Sequence, residues 1–152
     1  MKPAVRARTF GLALAATLLA LAGSASAGGP RRPVVVLAER QRVAVDVVDT
    51  PALRAQGLSG RASLAADEGM LFLFETSAIQ SFWMKDMRFP IDIVWIRDGK
   101  IVGITPEVPL PSPPHALPQY RSPVPCDVVL EVRAGAARRW SLKLGDAARV
   151  ER

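Results

Sequence analysis

Across 152 residues the chain has one cysteine, one histidine and one tyrosine, and aromatics make up only 6%. Each scarcity excludes something. A lone thiol, Cys126, cannot close a disulfide within the chain. It opens an apolar run, so it is expected to be a buried core residue rather than a nucleophile. A lone imidazole, His115, rules out H-E-x-x-H and any histidine-rich metal cluster. Met84 and Met87 with His115 or Cys126 form a poor set for soft Cu(I), because methionines beside tryptophan and phenylalanine read as gap-filling core. No metal and no cofactor is expected. There is no G-x-S-x-G and no glycine-rich phosphate loop, so acyl and phosphoryl transfer find no motif. Lysines and arginines do not cluster among aromatics, so nucleic acid is not an expected partner.

Long apolar runs are also scarce. The only one, residues 10–22, is too short to span a bilayer comfortably. Lys2, Arg6 and Arg8 precede it, and Ala25-Ser26-Ala27 follows it, which is the pattern of a secretory signal peptide cleaved after Ala27. The expected organisation is therefore a signal peptide over 1–27 and one β-rich domain over 28–152, exported to the periplasm or the extracellular space. Membrane association would come only through an uncleaved signal segment. The formal net charge of +6 loses three with that segment, so the mature chain carries about +3 and is only mildly basic.

What is present is a succession of short strand signals. Val43, Val45 and Val47 alternate with Arg42, Ala44 and Asp46, which is the period of a half-buried strand, and 34–37 supplies its hairpin partner. Thr50-Pro51 opens a short helix that Gly57 stops. Residues 69–74, Gly-Met-Leu-Phe-Leu-Phe, read as a strand buried on both faces. Asp98-Gly99 is a two-residue hairpin turn between 91–96 and 101–104. A simple register pairs Ile96 with Ile101, Trp95 with Val102, Ile93 with Ile104 and Asp92 with Thr105. Eight of the thirteen prolines fall in 105–125, so that segment is expected to avoid any regular ladder and to act as a stiff strap or lid. A strand over 126–132, a short link over 136–140 and a closing strand after Gly145-Asp146 complete the chain. The fold class is mainly β, a small barrel-like or curled antiparallel sheet with one or two short helices.

Residues 81–100 hold two of the three tryptophans and two of the four methionines, with charges interleaved. A binding site is expected there. Trp83 and Met84 would give it an apolar surface, and Arg61, Lys85, Asp92 and Glu131 would give it polar groups. Asp92 shares a face with Val94 and Ile96, so its carboxylate needs donors, which Lys85, Arg88, Thr105 or backbone N–H groups would supply. Lys85 and Asp92 are expected to meet under the strap. The plainer alternative makes Trp83 core, Asp92 a hairpin pin and Glu131 a solvent-facing strand residue. An enzyme would use Lys85, Asp92 and Glu131 as an acid–base set, but no residue is assigned as catalytic.

Gly57-Leu58-Ser59-Gly60-Arg61, Gly69-Met70-Leu71-Phe72, Phe82-Trp83-Met84-Lys85, Pro90-Ile91-Asp92-Ile93, Val129-Leu130-Glu131-Val132 and Leu144-Gly145-Asp146 occur in that order. Together they resemble domain-of-unknown-function family 192 (uncharacterised protein family 0127) over nearly the whole mature chain. The family pattern carries asparagine after Trp-Met-Lys, where Asp86 stands here. The resemblance implies a compact β-rich domain, commonly exported or membrane-attached, and no established activity. The expected function is a cell-envelope binding module for a small ligand or an envelope protein. The alternatives are the acid–base enzyme or a purely structural envelope protein.

Overall fold

The computed structural model describes residues 32–112 and 117–151. The signal segment and His115 therefore lie outside the described residues. Among the described residues nine strands and two short helices follow one another: β1 (Val34–Leu37), β2 (Gln41–Val48), α1 (Pro51–Gln56), β3 (Glu68–Ala78), β4 (Ser81–Phe82), β5 (Ile91–Arg97), β6 (Lys100–Val108), β7 (Tyr120–Arg121), β8 (Cys126–Arg133), α2 (Ala136–Arg139) and β9 (Ala148–Glu151). Seven strands form one sheet in the order β6-β5-β8-β3-β2-β1-β9, and β4 pairs with β7 in a small second sheet.

The hairpins follow from backbone chemistry. Asp98 and Gly99 take φ of 51° and 68°, the left-handed pair that a tight hairpin needs. Ala38 and Glu39 do the same between β1 and β2. The connection over 49–67 contains α1 and brings the chain back, so β2 and β3 run parallel while the other pairings of the large sheet are antiparallel. That parallel pair refines the expected antiparallel sheet.

The sheet curls until its two ends meet. Lys100 at the start of β6 bridges Ala147 just before β9, and Ala148 N donates to Gly99 O at 2.8 Å. All seven strands contribute to one buried cluster inside the curl, with Leu37, Val45, Leu71, Val94, Ile101, Leu130 and Ala148 among its members. A second cluster covers the outer face of the middle strands. It joins Phe72, Ile93, Trp95 and Val129 to Leu58, Leu64 and Met84 from the connections. Both faces of β5, β8 and the first half of β3 are thus buried, and each large side chain there contributes about 1.5–3 kcal/mol by leaving water.

Two expectations are corrected. The β5–β6 register slips by one residue beside the turn. Trp95 faces Gly103 rather than Val102, and Ile93 faces Thr105. A bulge absorbs the extra residue. The slip sets the Trp95 ring against a residue without a side chain and lets its Nε1 donate to Thr105 Oγ1 at 2.9 Å. A Cβ on Gly103 would lie 2.8 Å from Trp95 Cδ1 and 2.6 Å from Pro123 Cγ, so the same glycine also seats the proline-rich segment. That segment is not wholly free of ladder either. β6 runs through Pro106 to Val108, which is tolerated because β6 is the last strand of the sheet order and has β5 as its ladder partner. Further on, Tyr120 and Arg121 pair with Phe82 and Ser81.

Candidate functional site

A cavity of about 310 Å³ opens where α1, β3, β4 and the proline-rich segment converge on the outer face of the sheet. Its size falls at the small end of ligand pockets, which run about 300–1,000 Å³. One wall is α1 and the loop after it. Thr50 Oγ1 accepts from Leu53 N, Pro51 sits in the first turn, and Gly57 ends the helix at a φ of 49°. A Cβ on Gly57 would already touch Phe72 Cζ at 3.3 Å, so glycine lets this backbone lie against the ring. Buried Leu58 pins the loop, and Ser59 Oγ donates to Lys85 O while Gly60 N donates to Asp86 O, both at 2.9 Å.

The remaining walls are aromatic. Phe72 and Phe74 come from β3, Phe82 from β4, and half-exposed Trp83 stands at the rim. Phe82 packs edge-on against Phe72 at 4.8 Å and against Trp95 at 5.6 Å, the arrangement favoured by ring quadrupoles. Arg54 lies with its guanidinium carbon 5.0 Å over Phe74, and its Nη1 donates to Asp49 O and Leu73 O. Ser81 Oγ donates to Gln119 Oε1 at 2.8 Å, tying the strap to this wall.

Glu131 lines the cavity from β8, between Met70 of β3 and Ile93 of β5. The residue is only 5% exposed. No hydrogen bond or ion pair reaches its carboxyl among the described residues, and burial alone pushes it up to about 8. At neutral pH this carboxyl is therefore largely protonated. It titrates in the physiological range inside an apolar cleft, a combination that concentrates at functional sites.

The six expected site residues do not converge. Trp83 and Glu131 line the cavity; Arg61, Met84, Lys85 and Asp92 do not. Arg61 is bound to Asp46 at 2.6 Å. Burial favours the neutral form of Asp46, but the Arg61 hydrogen bond and the Arg32 charge outweigh it and hold the carboxyl below its ordinary value. Met84 is core. Lys85 is exposed. Asp92 is fully buried on the opposite face of the sheet from Glu131 and accepts three backbone hydrogen bonds, from Glu107 N at 2.7 Å, Gly135 N at 3.0 Å and Ala137 N at 2.8 Å. It caps α2, whose own N-cap is Gly135 and offers no side chain. Lys85 and Asp92 thus do not meet, and the acid–base trio is dispersed. Cys126 is buried, and burial raises its thiol. Arg54, Ser59, Phe74 and Gln119 are among the lining residues that sequence reasoning missed. They lie in three separate segments, the α1 crossover, β3 and the strap, which only the fold brings together.

The family profile matches residues 34–150, which is the whole of the described sheet except the last residue of β9. The chain belongs to the DUF192 family. Its description reads "Uncharacterized ACR". No curated protein matches this DUF192 chain. Two solved structures are similar to it. One is a protein of unknown function from Novosphingobium aromaticivorans DSM 12444, 28% identical, with a TM-score of 0.70 over 76% of this chain and 83% of that one. The other is a proposed transcription regulator from Sinorhizobium meliloti 1021, 30% identical, with a TM-score of 0.69 over 78% of this chain and 92% of that one. Within this DUF192 domain Asp86 takes a φ of 54°. That left-handed backbone suits Asn and Asp alike, which accounts for aspartate standing where the family pattern has asparagine.

Proposed function

We propose that this chain is an exported cell-envelope protein that binds a small, mainly apolar ligand in the cavity beside Trp83, with Glu131 as the polar anchor. One observation carries the reading: Glu131, a residue only 5% exposed, lines an aromatic cavity and has no partner for its carboxyl among the described residues. A buried polar group without a hydrogen bond costs about 1–3 kcal/mol. A ligand that satisfies Glu131 offsets that cost. Export is supported by the charged start, the short apolar run and the Ala25-Ser26-Ala27 site.

Both parts have direct tests. Titration of the 28–152 protein with 2-phenylethanol, followed by amide NMR, is expected to give saturable shifts centred on Gly57, Phe82 and Glu131. Saturable shifts that map elsewhere, or none with 2-phenylethanol, 2-phenylethylamine or phenylacetate, would remove the cavity as a ligand site. For export, N-terminal sequencing of the full chain expressed in an exporting bacterium is expected to begin at Gly28. An intact N-terminus in the cytosolic fraction overturns that half.

A further inference from the structure

We infer that the ligand is a small organic monocation, an ammonium on an aromatic or short alkyl body, with its nitrogen held by Glu131 among the phenyl rings. This rests on the cavity being a ligand site and goes further, because it assigns the charge. Ser59 Oγ spends its proton on Lys85 O, and Ser81 Oγ spends its proton on Gln119 Oε1. Both hydroxyls thus keep only acceptor capacity for a ligand. Glu131 adds a carboxyl with no cation beside it among the described residues. Phe72, Phe74, Phe82 and Trp83 supply ring faces, which attract ammonium and guanidinium groups, while the amides of Gln56 and Gln119 add oxygen acceptors as well as N–H donors. Arg54 already shows this wall taking a cation, stacked over Phe74 at 5.0 Å.

Arg54 also limits the charge. Among the described residues it is the other ionisable residue lining the cavity, with its Nη1 committed to Asp49 O and Leu73 O. Arg54 already places one positive charge in the wall, so each added ammonium is repelled, and a ligand with one ammonium is favoured over one with two. Occupancy also couples to protonation. The ammonium is held by the carboxylate, so binding near neutral pH releases a proton from Glu131. Affinity for an amine then rises close to tenfold per pH unit below pH 8 and levels off above it.

The test is calorimetry of the 28–152 protein with 2-phenylethylamine, 2-phenylethanol, phenylacetate and 1,4-diaminobutane at pH 6.5, 7.5 and 8.5. At pH 8.5 the amine is expected to bind at least tenfold more tightly than the alcohol, with phenylacetate and the diamine weaker still. Glu131→Gln is expected to erase the preference for amine over alcohol and its pH dependence. If the alcohol binds as tightly as the amine, the cation assignment fails while the cavity reading stands. If phenylacetate binds most tightly, Arg54 rather than Glu131 organises the site, and the assignment again fails. If none of the four binds, the cavity reading fails and takes this inference with it. The wild-type comparison decides these outcomes even where the variant does not fold.

Discussion

Asp92 and Glu131 are one strand apart on the same sheet, and both are buried, yet they are held in opposite ways. Asp92 faces the inside of the curl and collects three backbone N–H groups from β6 and the start of α2. Glu131 faces outward into the aromatic cavity and collects none. In the first case backbone donors offset the cost of burial, and the carboxylate becomes a structural cap that ties three elements together. In the second case nothing among the described residues offsets it, and the carboxyl holds its proton instead. Burial alone therefore does not separate a scaffold acid from a site acid. The supply of donors does.

The strongest way to break this contrast is Asp92→Ala. Three backbone N–H groups lose their acceptor, at about 1–3 kcal/mol each, so urea unfolding is expected to show a loss of roughly 5 kcal/mol. A loss under about 1 kcal/mol would mean that Asp92 is not the cap described above.

Glu131→Gln is expected to act in the other direction. The carboxyl ionises near 4.5 in the unfolded chain and near 8 in the folded one. Folding therefore takes up a proton between these values. The stability linked to Glu131 is complete below pH 4.5 and declines by about 1.4 kcal/mol per unit as pH rises to 8. Replacing the carboxyl with an amide removes the decline, so the variant should match wild type near pH 4 and exceed it at pH 8 by about 4 kcal/mol at most. Parallel stability curves for the two proteins between pH 5 and 8 would contradict the raised value.

Gly103→Ala sharpens the comparison by loosening only one side of it. Its Cβ would collide with Pro123 and Trp95, at an overpacking cost of about 1–3 kcal/mol. The strap that carries Gln119 should detach, water should reach Glu131, and the pH slope of stability should shrink. Amide exchange at Ala137, which depends on Asp92, should not change. The smallest effect is at Asp86, where Asp86→Ala places an unsuited residue at positive φ and costs about 1 kcal/mol by urea unfolding, while Asp86→Asn is nearly neutral.

Much of the scaffold was legible in the sequence because its signals are local. Alternation marked β2, Thr50-Pro51 and Gly57 bracketed α1, and Asp98-Gly99 placed the β5–β6 turn. The register beyond that turn was not legible, because it depends on Trp95 finding Gly103 and Thr105 across the strand. The face of Asp92 was readable from Val94 and Ile96, but its donors come from Glu107, Gly135 and Ala137, up to 45 positions away. The cavity was the least legible part. Glu131 stood out as a charge in an apolar strand, whereas Arg54, Ser59 and Gln119 carry no pattern of their own. Their proximity is a product of the crossover and the strap.

The pairing of β1 with β9 has a kinetic consequence. Leu37 meets Ala148, 111 positions later in the chain. During synthesis β1 can find β2 at once, but its other edge waits until almost everything described here has been made. Contacts of such long range are slow to form, because a large loop must close before they contribute. The curl therefore seals last. Until then the nascent chain stays open along β1, and an unsealed chain is what any machinery acting during translation would encounter.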